Sequence, residues 1–141
     1  MNAFTLHSTL AEDCHVLGYW KDIHLLLHRD AQVRWLILVP ETSATEWHDL
    51  TSSMRDRLGE ASAALSGTLR RDFACDKVNI AAIGNLVPQF HFHVIGRWRS
   101  DPYWPGVVWG RSTPGRFYVA EEVEEARGLV LTALKEAAAT P

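Results

Sequence analysis

Two short, dense apolar runs, Ile23-His24-Leu25-Leu26-Leu27-His28 and Trp35-Leu36-Ile37-Leu38-Val39, flank the polar stretch Arg29-Asp30-Ala31-Gln32. Runs of this length predict a hairpin of two largely buried strands, the second stopped by Pro40. A fainter signal around His15–Leu17 predicts a short strand before them. After Pro40 the period changes: Trp47, Leu50, Met54, Leu58, Ala61 and Leu65 recur at spacings of three and four. They share one face of an amphipathic helix packed on the sheet, with N-caps on offer at Thr42, Ser43 and Thr45 and a stop at Gly67. Lys77–Ile83 reads as a third strand and Gln89–Trp98 as a fourth, with the turn residues Gly84-Asn85 between them. An aromatic, Pro/Gly-rich loop follows from Ser100 to Gly115. A last helix over about 120–138 opens on Glu121, Glu122, Glu124 and Glu125, where negative charge suits the helix dipole. Hairpin-linked strands with helices between groups of them predict an α+β fold with an antiparallel sheet.

At 141 residues, 47% apolar and 22% charged, the chain has room for one domain, taken as 1–141, with one core. Its formal charge of −3 argues against coating a nucleic acid, which calls for a basic surface. Cys14 and Cys75 lie far apart without a CxxC partner, so a disulfide framework or cysteine-based zinc site is not expected, and a reducing, cytoplasmic setting fits. Met1–Leu10 lacks a basic, then apolar, leader pattern, and no run is long enough to span a membrane.

The chemistry concentrates in Gly84-Asn85-Leu86-Val87-Pro88-Gln89-Phe90-His91-Phe92-His93-Val94-Ile95. On a strand, Gln89, His91 and His93 line one face, while Phe90, Phe92 and Val94 line the other. Two imidazoles and an amide fill a core poorly, so something polar should meet them. Three readings follow. The histidines can be structural, each satisfied by a carbonyl or water. They can be two ligands of a metal site; the sequence beyond His93 supplies no further histidine, and Arg97 and Arg99 would repel a cation. Or a neutral imidazole can attack a phosphoryl centre, with donors such as His93, Gln89 and Asn85, and Arg97 or Arg99 nearby, around the phosphate oxygens.

Gln89-Phe90-His91-Phe92-His93-Val94-Ile95 resembles the histidine-triad (HIT) signature His-φ-His-φ-His-φ-φ (φ apolar), with Gln89 at the first histidine. Gly84-Asn85-Leu86-Val87 is similar to the family's Gly-Gln-x-Val segment. Leu36–Pro40 with Trp47–Leu50 resemble stretches of the fragile-histidine-triad, dinucleoside polyphosphate hydrolase-like branch, and Asp101–Gly106 is similar to the Trp-Pro stretch after the motif in several members. The resemblance covers about residues 15–110. It implies a HIT-like α+β fold of about five antiparallel strands with two helices, and a homodimer whose sheets join. It also implies attack at the α-phosphate of a dinucleoside polyphosphate or nucleoside phosphoramidate through a nucleotidyl-histidine.

By position, the resemblance makes His91 the nucleophile, has His93 contact the phosphate and lets Gln89 orient. Asn85 and Gly84 would hold the phosphate or leaving group, with Leu27, Asp30 and Trp104 as further candidates for nucleotide contact. No protein-bound metal or cofactor is implied, although a divalent cation can accompany the substrate. Trp35 stands where some branches carry an additional histidine. A nucleotide-binding protein with little turnover is the alternative, and a His-x-His metal protein the second. Trp104 and Trp109 could equally stack on a base or pack a dimer. His48, Arg111 and Arg116 read as surface residues.

Overall fold

The computed structural model describes residues 3–113 and 115–139. In chain order these form α1 (Ser8–Asp13), β1 (Cys14–Trp20), β2 (Ile23–His28), β3 (Arg34–Pro40), a 3-10 turn (Trp47–Asp49), α2 (Ser52–Arg71), β4 (Lys77–Ala81), β5 (Phe92–Arg97) and α3 (Ala120–Ala139). The strands make one five-stranded sheet in the order β1-β2-β3-β5-β4, every pair antiparallel. This is the α+β architecture that the strand and helix periods predict, with the short α1 added.

The sheet is covered on both faces, which is why β2 and β3 read as continuous apolar runs rather than alternating ones. Leu25, Leu27, Leu36, Leu38 and Val94 pack against Leu58, Leu65 and Leu69 of α2 and Val130 and Leu134 of α3. On the opposite face, Leu26, Trp35, Ile37 and Ile95 pack with Leu10, Val87, Tyr103 and Val108 from α1 and the loops. Close approach on the helix side is built in at Gly96, where a Cβ would come within 2.5 Å of Cys75 Sγ.

Several element ends differ from the sequence expectation, each for a local reason. α2 starts at Ser52, because Thr51 supplies the cap: its hydroxyl accepts from the Met54 amide at 3.1 Å. Thr42 instead closes a turn onto the Ala44 amide, and Trp47–Asp49 form a separate 3-10 turn. Gly67 does not stop the helix, since Thr68 and Leu69 continue its buried stripe; the chain turns beyond Asp72, with Ala74 at φ 54°. β5 starts at Phe92 rather than Gln89, and β4 ends at Ala81 rather than Ile83.

The aromatic loop after β5 is tied down by two buried carboxylates. Arg97, 1% exposed, grips Asp101 through two bonds, Nε to Oδ2 at 2.8 Å and Nη2 to Oδ1 at 3.0 Å. Its Nη1 donates to Asn79 Oδ1 at 3.0 Å and to the Gly106 carbonyl at 2.8 Å. Asp30, 2% exposed, accepts from Tyr103 Oη at 2.6 Å, Ser112 Oγ at 2.7 Å and the Gln32 amide at 3.0 Å. These anchors hold the segment around Trp109 over the sheet face opposite α2 and α3.

Candidate active site

β3 and β5 are central strands, and their register sets the site. Ile37 pairs with His93, and Trp35 with Ile95, so the four share the face away from α2 and α3. Trp35 and His93 are diagonal neighbours within reach of each other. The turn at Gly84, at φ 69° and so suited to glycine, leads through Pro88 into the segment that carries His91 up to the strand.

The two imidazoles are buried, with ring centroids 4.9 Å apart. Nδ1 of His91 lies 2.8 Å from the Gln89 carbonyl oxygen. A carbonyl only accepts, so the neutral ring carries its proton on Nδ1, and Nε2 holds a lone pair. Nδ1 of His93 accepts from the indole N–H of Trp35 at 2.9 Å, so its proton sits on Nε2. Burial lowers the pKa of His91; the Gln89 carbonyl opposes the fall, and His7 adds to it. Burial, with His91 and His28 adding, pushes His93 down to about 3. Both rings are therefore neutral near pH 7.

They line a cleft of about 570 Å³ together with Gly84, Asn85, His28, Trp35, Trp109 and Arg111, among others. His28 stacks on Trp35 with centroids 4.0 Å apart and accepts from the Asp30 amide at 3.1 Å, while Trp109 meets the His93 ring edge-on at 5.3 Å. Cys14 also lines the cleft, but burial, with Asp13 adding, pushes its thiol up to about 12, which leaves it no thiolate at neutral pH. An arrangement of one unprotonated ring nitrogen and one ring N–H in a neutral cleft suits attack on an electrophile whose oxygens need a donor.

Among the residues expected from sequence, His91, His93, Asn85 and Gly84 thus meet in one cleft, and the others lie elsewhere. The Gln89 side chain is fastened to the N-terminal segment: Oε1 accepts from the His7 amide at 2.8 Å and Nε2 donates to the Thr5 carbonyl at 2.9 Å. Leu27 is fully buried in the helix-side core, because its position in β2 turns it away from the imidazoles. Asp30 is consumed by its loop anchors. Trp104 packs over the Arg97 guanidinium at 5.6 Å, and it is Trp109 that reaches the cleft. Arg97 neither serves the site nor repels a cation there, since Asp101 neutralises it. Among the described residues no three histidine, cysteine or carboxylate groups are placed to hold one metal ion. His28 was legible in principle: a period of two from Leu26 puts it on the imidazole face, opposite Trp35.

A small α+β protein with two neutral imidazoles, two residues apart, above a five-stranded antiparallel sheet defines a narrow class. The HIT domain family matches residues 9–100, and the chain belongs to that family. Crystal structures of histidine triad proteins from three bacteria superpose closely. The one from Marinobacter aquaeolei is 39% identical over 96% of this chain and 99% of its own, with a TM-score of 0.87. That from Bradyrhizobium japonicum is 36% identical over 94% and 99%, with a TM-score of 0.86. The protein from Sinorhizobium meliloti is 32% identical over 92% and 96%, with a TM-score of 0.85. No curated protein sequence matches the chain.

Proposed function

We propose that the protein is a nucleotidyl hydrolase or transferase that attacks the α-phosphate of a dinucleoside polyphosphate or nucleoside phosphoramidate. The observation that carries this reading is the His91 Nδ1–H bond to the Gln89 carbonyl, which leaves a nucleophilic lone pair on Nε2 of a ring lining the cleft. Nε2 forms a bond to phosphorus; the phosphorus–oxygen or phosphorus–nitrogen bond to the leaving group breaks, and that group takes its electron pair and a proton from solvent. Water, or another acceptor, then attacks the phosphorus; the phosphorus–nitrogen bond breaks with its pair returning to Nε2 of His91, and the acceptor's proton passes to solvent. The Nε2–H of His93 and the Asn85 side chain donate to the phosphoryl oxygens as charge builds on them. No resident metal or cofactor is required; a divalent cation can arrive with a polyphosphate substrate. The same reading carries a homodimer with its sheets joined, and a reducing cytoplasm, which suits two buried free cysteines.

A second reading, nucleotide binding with little turnover, draws on the commitment of the Gln89 amide to Thr5 and His7 rather than to the cleft. The experiment is AMP release from diadenosine polyphosphates and adenosine phosphoramidates by the wild type and His91→Ala, with intact-mass detection of a nucleotidyl adduct and metal analysis of the same sample. Release and an adduct, both lost in His91→Ala, are expected. AMP binding without release would establish the second reading, and stoichiometric zinc would overturn the mechanism.

A further inference from the structure

We infer that Trp35 is a positioning residue: its indole N–H, donated to Nδ1 of His93, holds that ring as the tautomer that presents Nε2–H to the cleft. An indole nitrogen can only donate, and a neutral imidazole has one N–H and one lone pair. The 2.9 Å bond therefore assigns the lone pair to Nδ1 and the proton to Nε2. Protonating His93 would set an N–H against an N–H and lose the bond, so the bond acts in the same direction as the burial that keeps the ring neutral.

The indole is itself held firmly. It is 5% exposed and lies flat on His28, centroids 4.0 Å apart with 15° between planes. His28 is fixed in turn by the Asp30 amide, and Asp30 by Tyr103 and Ser112. A continuous set of contacts thus runs from the anchored loop through two rings to the His93 proton. The titratable and charged groups around His93 are His91 before β5, His28 on β2, Asp13 at the end of α1, Cys14 at the start of β1, and Arg111 from the loop. Of the described residues, Trp35 alone hydrogen-bonds the His93 ring.

The catalytic consequence rests on the nucleotidyl-transfer reading; the tautomer does not. The test is a long-range proton–nitrogen NMR spectrum of the imidazoles in the ¹⁵N-labelled full chain between pH 5 and 8. In the wild type His93 should show an unprotonated Nδ1, a protonated Nε2 and no titration. Trp35→Phe keeps an aromatic ring against His28 and removes the donor. In it His93 should populate both tautomers. The kcat for AMP release should fall about 10- to 100-fold, the range known where partners orienting metal-bound imidazoles are removed, with KM little changed. A wild-type spectrum with Nδ1 protonated overturns the assignment even if the variant fails to fold. So does a folded Trp35→Phe whose His93 spectrum is unchanged. A wild type with the expected spectrum and no turnover sinks the transfer reading and leaves Trp35 its role.

Discussion

Replacing Asp101 by Asn tests what holds the wall of the cleft. The substitution keeps size and shape but leaves the Arg97 guanidinium without its counter-charge at a side chain only 2% exposed, facing a carboxylate that is fully buried. Two charge-assisted bonds, 2.8 and 3.0 Å, are weakened together with the acceptor set that Asp101 offers to the Trp98 and Tyr103 amides at 3.1 and 3.0 Å. Breaking one side of a buried pair costs about 3–5 kcal/mol, most of it the cost of a stranded charge rather than the value of the bond. In urea that shifts the unfolding midpoint by roughly 2 M at an m-value near 1.5–2 kcal/mol/M, and it lowers Tm by on the order of 10 °C. A double-mutant cycle with Arg97→Met should return a coupling of at least about 1 kcal/mol, because the stranded charge is gone in the double variant. A loss below about 1 kcal/mol for Asp101→Asn, measured by urea denaturation with circular dichroism, would refute the view that this pair anchors the loop.

Gln89→Leu removes both ties to the N-terminal segment and should cost about 1–3 kcal/mol and speed hydrogen exchange at the His7 amide; since His91 is held by the Gln89 carbonyl, AMP release should fall less than about tenfold. His93 binds its proton less readily folded, with a pKa near 3, than unfolded, where it is 6.5, so the unfolded chain gains protons first on acidification. Stability should then fall below pH 6.5 by up to about 1.4 kcal/mol per pH unit, and His93→Gln should flatten that slope in urea titrations from pH 7 to 4. For Asp30 and Asp101 burial opposes ionisation, but their hydrogen bonds outweigh it and lower both pKa values. Their contribution is present above about pH 4 and lost as pH falls further toward the depressed folded values, so the acid limb should steepen there. Leu65→Ala, at a fully buried position, should cost about 2–5 kcal/mol, whereas Leu86→Ser, at 96% exposure, should stay within about 0.5 kcal/mol.

The strands, α2 and the His91–His93 pair were legible because each rests on a short-range pattern, and α3 because its opening glutamates mark a helix start. Residues two apart on a strand share a face, and residues three and four apart on α2 share a stripe. Leu27 shows where the same rule was left unused: counting by two from Leu26 separates it from the imidazoles and brings in His28. The start of α2 lies beyond Thr42 to Thr45 because Thr51 makes the capping bond, and a cap is decided by which hydroxyl reaches a free amide. The partners of Arg97, Asp30 and Trp104 were not legible, for a different reason. Asp101, Tyr103, Ser112 and Gly106 come from one irregular loop, which has no period to reveal that it folds back over the sheet.

What the sequence least discloses is that His91 and His93, identical in type and two residues apart, are made chemically different by their neighbours. One ring nitrogen faces a group that can only accept, and its counterpart on the other ring faces a group that can only donate. The proton is forced to Nδ1 in His91 and to Nε2 in His93, so one ring exposes a lone pair and the other an N–H. A single change that exchanged either partner for a group able to do both would let the proton move and cost the pair its division of labour. The carbonyl belongs to the backbone of Gln89 and survives any side-chain substitution there, whereas the donor on the other ring is a side chain. The pair's two protonation states should therefore tolerate side-chain change at Gln89 better than at Trp35.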